Sequence, residues 1–236
     1  MKSLIHTADS RGNADHGWLK SRHTFSFADY YNEDREQFGA LRVINDDFID
    51  GGNGFDLHPH RNMEIITIPL SGSLKHQDSM GNTSIISRDE IQLMSAGSGV
   101  RHSEYNASDT QPISLLQIWV IPNVVNTTPS YAEKTLIPDK RKNKINTFIS
   151  PGSVSDSLAI KQDAYFSLVD LEAGKALSYP LYNQDNGVYI FIIQGEVNCE
   201  GTILGPRDAM GIIETETISL TASQNAEVLI MEVPVV

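Results

Sequence analysis

The sequence predicts an all-β fold in which short strands are arranged as a β-sandwich or barrel. Runs rich in Ile, Val, Leu and aromatic residues recur along the chain of 236 residues, and clusters of Gly, Asn, Asp and Ser separate them. These runs are MEIITIPL, TSIISRDEIQLM, ISLLQIWVI, AYFSLVDL, VYIFIIQGEV and EVLIMEVPVV. One stretch, Thr128 to Ile137, is predicted to be briefly helical, because Pro129 follows a Thr that can cap a first turn.

A faint internal repeat predicts two similar β-domains. The segment IPLSGSLKH around Gly72 resembles FIIQGEVNC around Gly195, and SRDEIQLM has a counterpart in PRDAMGII. A stretch rich in Pro, Asn, Thr and Lys connects the two copies. We therefore predict a first domain over residues 1–125 and a second domain, which begins with this linker, over residues 126–236. All 7 histidines lie in the first of these ranges, so their chemistry belongs to the first domain.

Composition and charge exclude several classes of function. The formal net charge is −12, and no dense run of Lys or Arg offsets it, so the field around the protein repels phosphate backbones. Cys199 is the single cysteine, which excludes an internal disulfide and suits a reducing compartment. The N-terminus lacks an apolar signal segment, and no run of apolar residues is long enough for a membrane span. We expect a cytoplasmic protein with no direct nucleic-acid partner and no membrane association.

Two short segments that contain histidine, DLHPHRNMEI and GVRHSEYN, predict a metal site. Side chains alternate between the two faces of a strand, so His58 and His60 point the same way, and His102 and Glu104 share the same relation. If these strands are neighbours, three imidazoles and one carboxylate converge. Such nitrogen and oxygen ligands suit a divalent ion such as Fe, Ni, Cu, Co, Mn or Zn, and they leave positions open for water, substrate or dioxygen.

Other polar residues near these segments could be ligands, substrate-binding groups or structural residues. Glu64 has the same strand parity as His58 and His60, so periodicity alone does not choose between Glu64 and Glu104 as the carboxylate ligand. Three arginines flank the motifs, and one that turned toward the site would favour an anionic substrate, but charges at strand edges are the expected interpretation. They are Arg42, Arg61 and Arg101. The remaining histidines, His6, His16, His23 and His76, are not expected to bind the metal.

The histidine segments resemble the two motifs of the cupin superfamily. Gly52, His-Pro-His, Glu64 and Gly72 follow the spacing of the first motif, with one additional residue before the last glycine, and GVRHSEYN resembles the end of the second motif. The longer segment FGALRVINDDFIDGGNGFDLHPHRNMEIITIPLSGSLKHQDSMGN, followed by MSAGSGVRHSE, is similar to the pirin family. This resemblance is close from about Trp18 to Trp119 and looser over the second half.

The pirin resemblance implies a fold and a ligand set. The fold is a bicupin, that is, two double-stranded β-helix (jelly-roll) barrels with the metal in the N-terminal barrel. Carried over residue by residue, the pirin ligands fall on His58, His60, His102 and Glu104, all of which are present in this chain. Glu64 is then left as a structural residue, a support for a ligand or an ion-pair partner of a nearby arginine.

The second half carries no comparable ligand set. The repeat places Leu181, Asn183, Ser219 and Thr221 at the positions that correspond to the ligands of the first half. None of these side chains can replace an imidazole. The second barrel is therefore predicted to be metal-free and structural.

The resemblance also implies an activity. Bacterial pirin-like proteins include quercetin 2,3-dioxygenases, which open a flavonol ring with dioxygen and release carbon monoxide. The implied protein is an oxidoreductase with one divalent metal, for which we expect Fe, that acts on a small aromatic substrate. Glu104 is the predicted proton acceptor for the flavonol 3-hydroxyl. The alternative, suggested by nuclear members of the family, is a redox-responsive regulator that binds a protein partner without catalysis, and the acidic charge would permit docking to a basic protein surface.

Overall fold

The computed structural model of the protein describes residues 1–235, and almost all of its regular structure is β-strand. The strands up to the middle of the chain are β1 (Lys2–His6), β2 (Gly12–Asp15), β3 (Leu19–His23), β4 (Leu41–Ile49), β5 (Gly54–His60), β6 (Glu64–Ser71), β7 (Ser73–Asp78), β8 (Thr83–Ser87), β9 (Glu90–Ser95), β10 (Val100–Asn106), β11 (Ile113–Val120) and β12 (Ser130–Thr135). The strands that follow are β13 (Asn146–Ser150), β14 (Leu158–Ala159), β15 (Tyr165–Leu171), β16 (Ala176–Pro180), β17 (Asn186–Gln194), β18 (Val197–Cys199), β19 (Thr202–Leu204), β20 (Ala209–Ile213), β21 (Thr217–Ala222) and β22 (Ala226–Pro234). The helical elements are α1 (Pro138–Arg141) and two 3-10 turns, Ala8–Ser10 and Glu33–Arg35.

These strands build two barrels of the same architecture. In the first barrel, a seven-stranded sheet has the order β12, β9, β6, β11, β4, β3, β2, and a four-stranded sheet has the order β5, β10, β7, β8. In the second barrel, the seven-stranded sheet has the order β1, β20, β17, β22, β15, β13, β14, and the four-stranded sheet has the order β16, β21, β18, β19. The predicted all-β fold of two jelly-roll barrels is confirmed.

Each barrel contains one edge strand from the other half of the chain. β1 pairs with β20, with Lys2 opposite Ile213, and so belongs to the sheet of the second barrel. β12 pairs with β9, with Ser130 opposite Ser95, and so belongs to the sheet of the first barrel. Each of these sheets therefore includes a strand from the other side of the predicted division between residues 125 and 126. The domain boundary itself stays a prediction.

The largest hydrophobic core lies between the two seven-stranded sheets. It joins fully buried side chains from both halves of the chain, such as Ile66 and Ile118 from the first barrel and Phe166 and Leu229 from the second. Burial of one such side chain stabilises a protein by about 1.5–3 kcal/mol. The shared core therefore packs the two barrels back to back.

The predicted helix over Thr128 to Ile137 is wrong. This segment forms β12, which pairs antiparallel with β9 from Ser130 opposite Ser95 to Thr135 opposite Glu90. Without β12, the edge of β9 would present unpaired backbone N–H and C=O groups, and this pairing outweighs the local helical signal. The only α-helix among the described residues, α1, is a single turn, and no helix there is long and apolar enough to cross a membrane.

His6, the last residue of β1, is a buried histidine close to the core between the sheets. Its Nδ1 lies 2.7 Å from the Tyr189 hydroxyl, and its ring packs against Phe25 with the centroids 6.0 Å apart. Burial lowers the pKa of His6 to about 4, and the positive charge of Arg35 is a lesser cause. The ring therefore stays neutral in the folded protein at pH values where it would be charged in the unfolded chain.

We expect His6→Asn to flatten the dependence of the unfolding free energy on pH. In the wild-type protein the stability due to neutral His6 is complete above about pH 6.5, the unfolded pKa, and is lost as pH falls toward about 4. Asn keeps a polar atom for Tyr189 but does not titrate. Over this interval the wild type should lose on the order of 1–2 kcal/mol more than the variant, below the full value of the shift because solvent screens part of the effect.

Denaturant titrations at successive pH values, with chelator in every sample, measure this difference. The same substitution at exposed His16 serves as the control and should keep the wild-type slope. Identical slopes for the wild type and His6→Asn would exclude His6 as the source of the acid sensitivity.

Candidate metal centre and its cavity

Strands β5 and β10 are neighbours, as the histidine segments predict, and they bring three histidines together. The strands are antiparallel, with His102 opposite His58 and Val100 opposite His60. The ring centroids lie 4.4 Å apart for His58 and His102, 4.8 Å for His60 and His102, and 4.9 Å for His58 and His60. One nitrogen of each ring lies within 4.8 Å of the others, so the three imidazoles surround a common space.

The ring nitrogens at this centre are available to a metal. Both nitrogens of His102 are buried and have no hydrogen-bond partner among the described residues. Burial, and to a lesser extent the neighbouring histidines, lower the pKa of His102 to about 2 and that of His60 to about 4, so these two rings are neutral, as metal ligation requires. His58 Nδ1 donates a 2.7 Å hydrogen bond to the Asp56 carbonyl, which leaves Nε2 free. Three ring nitrogens that converge on a common space and are free of protein partners fit a divalent transition metal.

Glu104 is held beside the histidines by two hydrogen bonds. Along β10, the pairing with β5 shifts register between His102 and Glu104. Its Oε2 accepts a 2.9 Å hydrogen bond from Gln117 Nε2, and its Oε1 accepts a longer one of 3.4 Å from Thr67 Oγ1. The side chain is buried, and this burial raises its pKa. The carboxylate is therefore fixed in place and takes up a proton more readily than an exposed glutamate.

His76 also lies beside this centre, although the sequence did not single it out as a ligand. It is fully buried on β7, directly opposite Glu104 on β10. Its ring lies 5.3 Å from that of His102 and stacks on Tyr131 at 4.7 Å, and its Nδ1 has no partner among residues 1–235. The ligand atoms of His76, His102 and Glu104 lie within 4.8 Å of one another and form a second group that could hold an ion. In the sequence, the spacing of His76 and Asp78 by two residues, which places both on one face of a strand, could have indicated this position.

A cavity of about 310 Å³ opens at this centre. Small-molecule sites span about 300–1,000 Å³, so the cavity can accept a small aromatic molecule. Besides His58, His60, Glu104 and Gln117, the lining contains apolar residues, termed the apolar wall, and polar residues, termed the polar wall. The apolar wall is Leu19, Phe27, Phe55 and Trp119, and the polar wall is Ser21, His23, Asn45 and Asp47. His16 and His23 line the cavity too, whereas His6 is not among the lining residues. That none of these three histidines binds the metal stays a prediction.

The polar wall is built from pairs of residues on the neighbouring strands β3 and β4. His23 is opposite Asn45 and Ser21 is opposite Asp47. His23 Nδ1 lies 2.8 Å from Asn45 Oδ1, and Ser21 Oγ donates to Asp47 Oδ1. Burial raises the pKa of Asp47 to about 7. The sequence did not single out this wall, because alternating polar residues are also typical of a strand with one face in solvent.

Glu64 lies away from this cavity and has its own partners. Its Oε2 accepts hydrogen bonds from Ser95 Oγ at 2.7 Å and from the Lys161 backbone N–H at 3.2 Å. The side chain is almost completely buried, and burial raises its pKa. Glu64 thus connects two strands of the first barrel to the second half of the chain, which accords with a structural role and not with an arginine ion pair.

The three arginines near the motifs do not line the cavity. Arg42, Arg61 and Arg101 each donate to a backbone carbonyl or an amide oxygen elsewhere in the structure. These contacts support the expectation that the three arginines are charged groups at strand edges.

Most of the interior of the second barrel is apolar, and its buried Glu232 accepts a 2.9 Å hydrogen bond from the Tyr179 hydroxyl. Its strands β16 and β21 place Leu177 opposite Leu220 and Tyr179 opposite Ile218, and these residues belong to or pack against a hydrophobic cluster. Of the positions predicted from the repeat, Leu181 packs against this cluster, whereas Ser219 and Thr221 do not face it. Ser219 and Thr221 are exposed, and Leu181 and Asn183 follow the end of β16, because a weak repeat fixes strand parity poorly and one residue of slip reverses the face. The absence of metal from this barrel stays a prediction.

The fold and the site define a double-barrelled cupin with a cluster of histidines in the cavity of its first barrel. The family model described as Pirin matches residues 5–120, and the model described as the quercetinase C-terminal cupin domain matches residues 147–233. The chain belongs to the pirin family.

Relatives of known name or structure match along nearly the whole chain. "Quercetin 2,3-dioxygenase" of Escherichia coli K12 is 40% identical over 230 residues, which cover 98% of each chain. A "Pirin-like protein" of Caulobacter vibrioides is 40% identical over 225 residues, 95% of this chain and 96% of that protein. The crystal structure of bacterial pirin YhhW from Escherichia coli in complex with nickel(II) superposes with a TM-score of 0.94, at 38% identity and with 100% of both chains covered.

Proposed function

We propose that the protein is a metal-dependent dioxygenase that opens the ring of a quercetin-like flavonol with dioxygen and releases carbon monoxide. The observation that carries this proposal is the cluster of His58, His60 and His102, of which the first two line a cavity of about 310 Å³ together with buried Glu104 and an apolar wall. The name of the Escherichia coli relative, quercetin 2,3-dioxygenase, supports this substrate class.

We propose His58, His60, His102 and Glu104 as the ligands of one divalent transition metal, with Fe as the expected ion. The nickel(II) complex of the Escherichia coli pirin supports a divalent ion in this family. A metal bound here would supply a Lewis acid for the substrate oxygen and a centre that activates dioxygen chemistry.

The walls of the cavity bind and orient the flavonol. Phe27, Phe55 and Trp119 offer apolar surface to the flat ring system of the substrate. Trp119 also packs against His60 with the ring centroids 4.9 Å apart, which places the apolar wall directly beside the histidine cluster. A substrate that fills this space displaces water, and the loss of water strengthens the interactions of charged groups inside.

Glu104 accepts the proton of the flavonol 3-hydroxyl on a carboxylate oxygen. Gln117 and Thr67 keep the carboxylate in one position, so the acceptor does not have to reorganise during the transfer. A carboxylate held at the cavity can act as the general base toward a phenol-like hydroxyl. Deprotonation makes the ring electron-rich, which its reaction with dioxygen requires.

Oxygen-dependent loss of flavonol tests this function directly. We expect metal-loaded protein under air to remove the visible absorbance of quercetin, to consume oxygen and to release carbon monoxide. Metal-stripped protein, and loaded protein without oxygen, should leave the absorbance unchanged. If protein loaded in turn with Fe, Ni, Cu, Co and Mn removes no flavonol, the dioxygenase proposal fails and the regulator that binds a protein partner becomes the leading account.

The proposal includes a small aromatic substrate and dioxygen as the reaction partners. It also includes a cytoplasmic location, which suits the single cysteine, Cys199. That thiol is buried, and burial raises its pKa to about 12, so it takes no part in the proposed chemistry.

A further inference from the structure

Asp47 is a buried carboxylate in the cavity wall with a single hydrogen-bond donor. Ser21 Oγ donates to its Oδ1, and no side chain among residues 1–235 donates to its Oδ2. The residue is only 4% exposed, although it lines the cavity. Because the second oxygen has no donor within the described residues and Asp47 lines the cavity, a group inside the cavity can donate a hydrogen bond to it.

The neighbours of Asp47 cannot complete its hydrogen bonding. Across the sheet on β11 it faces Leu115, which has no donor in its side chain. Along its own strand, Asn45 is engaged by His23, and Ile49 belongs to an apolar cluster at one end of the barrel. The free acceptor is therefore a built feature of the wall and is not compensated from within the protein.

The two walls of the cavity divide the work of recognition. The apolar wall around Phe27, Phe55 and Trp119 suits the faces of an aromatic ring system, whereas the wall that contains Asp47 suits a hydroxyl at the edge of that ring system. Glu104 lines the same cavity, and its oxygens are both engaged by Gln117 and Thr67. Two carboxylates in different hydrogen-bonding environments thus face one substrate.

We propose that Asp47 determines specificity by binding a second hydroxyl group of the substrate, distinct from the hydroxyl that meets Glu104. The inference rests on the proposed dioxygenase function and narrows its substrate class to planar aromatic molecules with at least two ring hydroxyls. A ligand that lacks the second hydroxyl leaves the acceptor of Asp47 without its partner and binds less well.

Two probe ligands test this inference. Quercetin carries hydroxyl groups on its outer rings, and 3-hydroxyflavone keeps only the 3-hydroxyl. Both are titrated into nickel-loaded protein without oxygen, so no turnover occurs, and quenching of the tryptophan fluorescence, to which Trp119 in the wall contributes, reports binding. We expect the wild-type protein to bind quercetin more tightly than 3-hydroxyflavone.

Substitution at Asp47 should remove this preference. We expect Asp47→Ala to raise the Kd for quercetin by about 10-fold to 100-fold and to change the Kd for 3-hydroxyflavone by less than about threefold. Asp47→Asn, whose amide can still bind a hydroxyl, should keep more of the preference, with a loss of about threefold to tenfold. Asp50→Ala, an exposed acidic position just after the same strand, is the matched control and should leave both Kd values unchanged.

Each outcome has a definite meaning. If Asp47→Ala raises both Kd values equally, or if Asp47→Asn keeps the full preference when Asp47→Ala fails to fold, Asp47 has only a structural role and the inference is overturned. If the preference for quercetin depends on Asp47 but no flavonol is turned over under air, the binding role of Asp47 is supported and the proposed dioxygenase function is overturned. If the wild type binds neither probe, both proposals are overturned.

Discussion

Glu104→Gln should lower flavonol turnover by about 10²-fold to 10⁴-fold while flavonol still binds. Gln has the size of Glu and keeps one oxygen that can accept the hydrogen bond from Gln117, and its amide N–H can donate to Thr67 Oγ1. The substitution removes the negative charge and the capacity to accept a proton. Turnover numbers and flavonol Kd are compared after both proteins are loaded to the same metal content.

Glu64→Gln is the matched control for this experiment. Glu64 is also a buried glutamate with a raised pKa, but its partners are Ser95 and Lys161, and it does not line the cavity. We expect it to keep turnover within a few-fold of the wild type. Equal turnover in metal-loaded Glu104→Gln and wild-type protein would show that Glu104 is not the proton acceptor, even if the protein is a dioxygenase.

Removal of any one of His58, His60 or His102 should abolish most metal binding while the β-rich fold is kept. Loss of a hydrogen-bond partner of a ligand already costs about 10–100-fold in metal affinity, so loss of a ligand itself should cost at least about 100-fold. Elemental analysis of the wild type should approach one ion per chain, because the two candidate groups of ligands share His102. Circular dichroism of each Ala variant checks the fold.

Substitution of His76 distinguishes the two candidate groups of ligands, and substitution of His16 is the control. His16→Ala changes an exposed residue at the cavity and should keep the wild-type metal content. His76→Ala should lose less metal than His58→Ala if the proposed ligand set is right. Loss of metal in His76→Ala with retention in His58→Ala would assign the ion to the group of His76, His102 and Glu104, and two ions per chain would contradict a single centre.

The sequence predicted the histidine cluster because its signal is local and repeated. His58 and His60 are separated by one residue, so any strand presents them on one face, and the similarity to pirins indicated that His102 would come from a neighbouring strand. The predicted barrels were also confirmed, because alternating apolar runs between turns are the direct consequence of strands with a buried face.

The polar half of the cavity was harder to predict, since it depends on which strands become neighbours. Ser21 and Asp47 lie far apart in the chain and look like the solvent-facing residues of two ordinary strands. His76 was missed for a similar reason, because only the pairing of β7 with β10 brings it opposite Glu104. The helix predicted around Ser130 failed because the free edge of β9 decides the conformation of that segment, and a short window of sequence does not contain this edge.

The exchange of edge strands means that the two barrels are not independent folding units. A chain cut between residues 125 and 126 would separate β12 from β9 and would also remove Tyr131, whose ring stacks on His76 at the centre. β1, made first, has to wait for β20, close to the other end of the chain, before its backbone is paired. Contacts between such distant segments slow folding. The centre in the first barrel therefore needs a strand from beyond residue 125, and the larger sheet of the second barrel is completed only when strands from both ends of the chain are present.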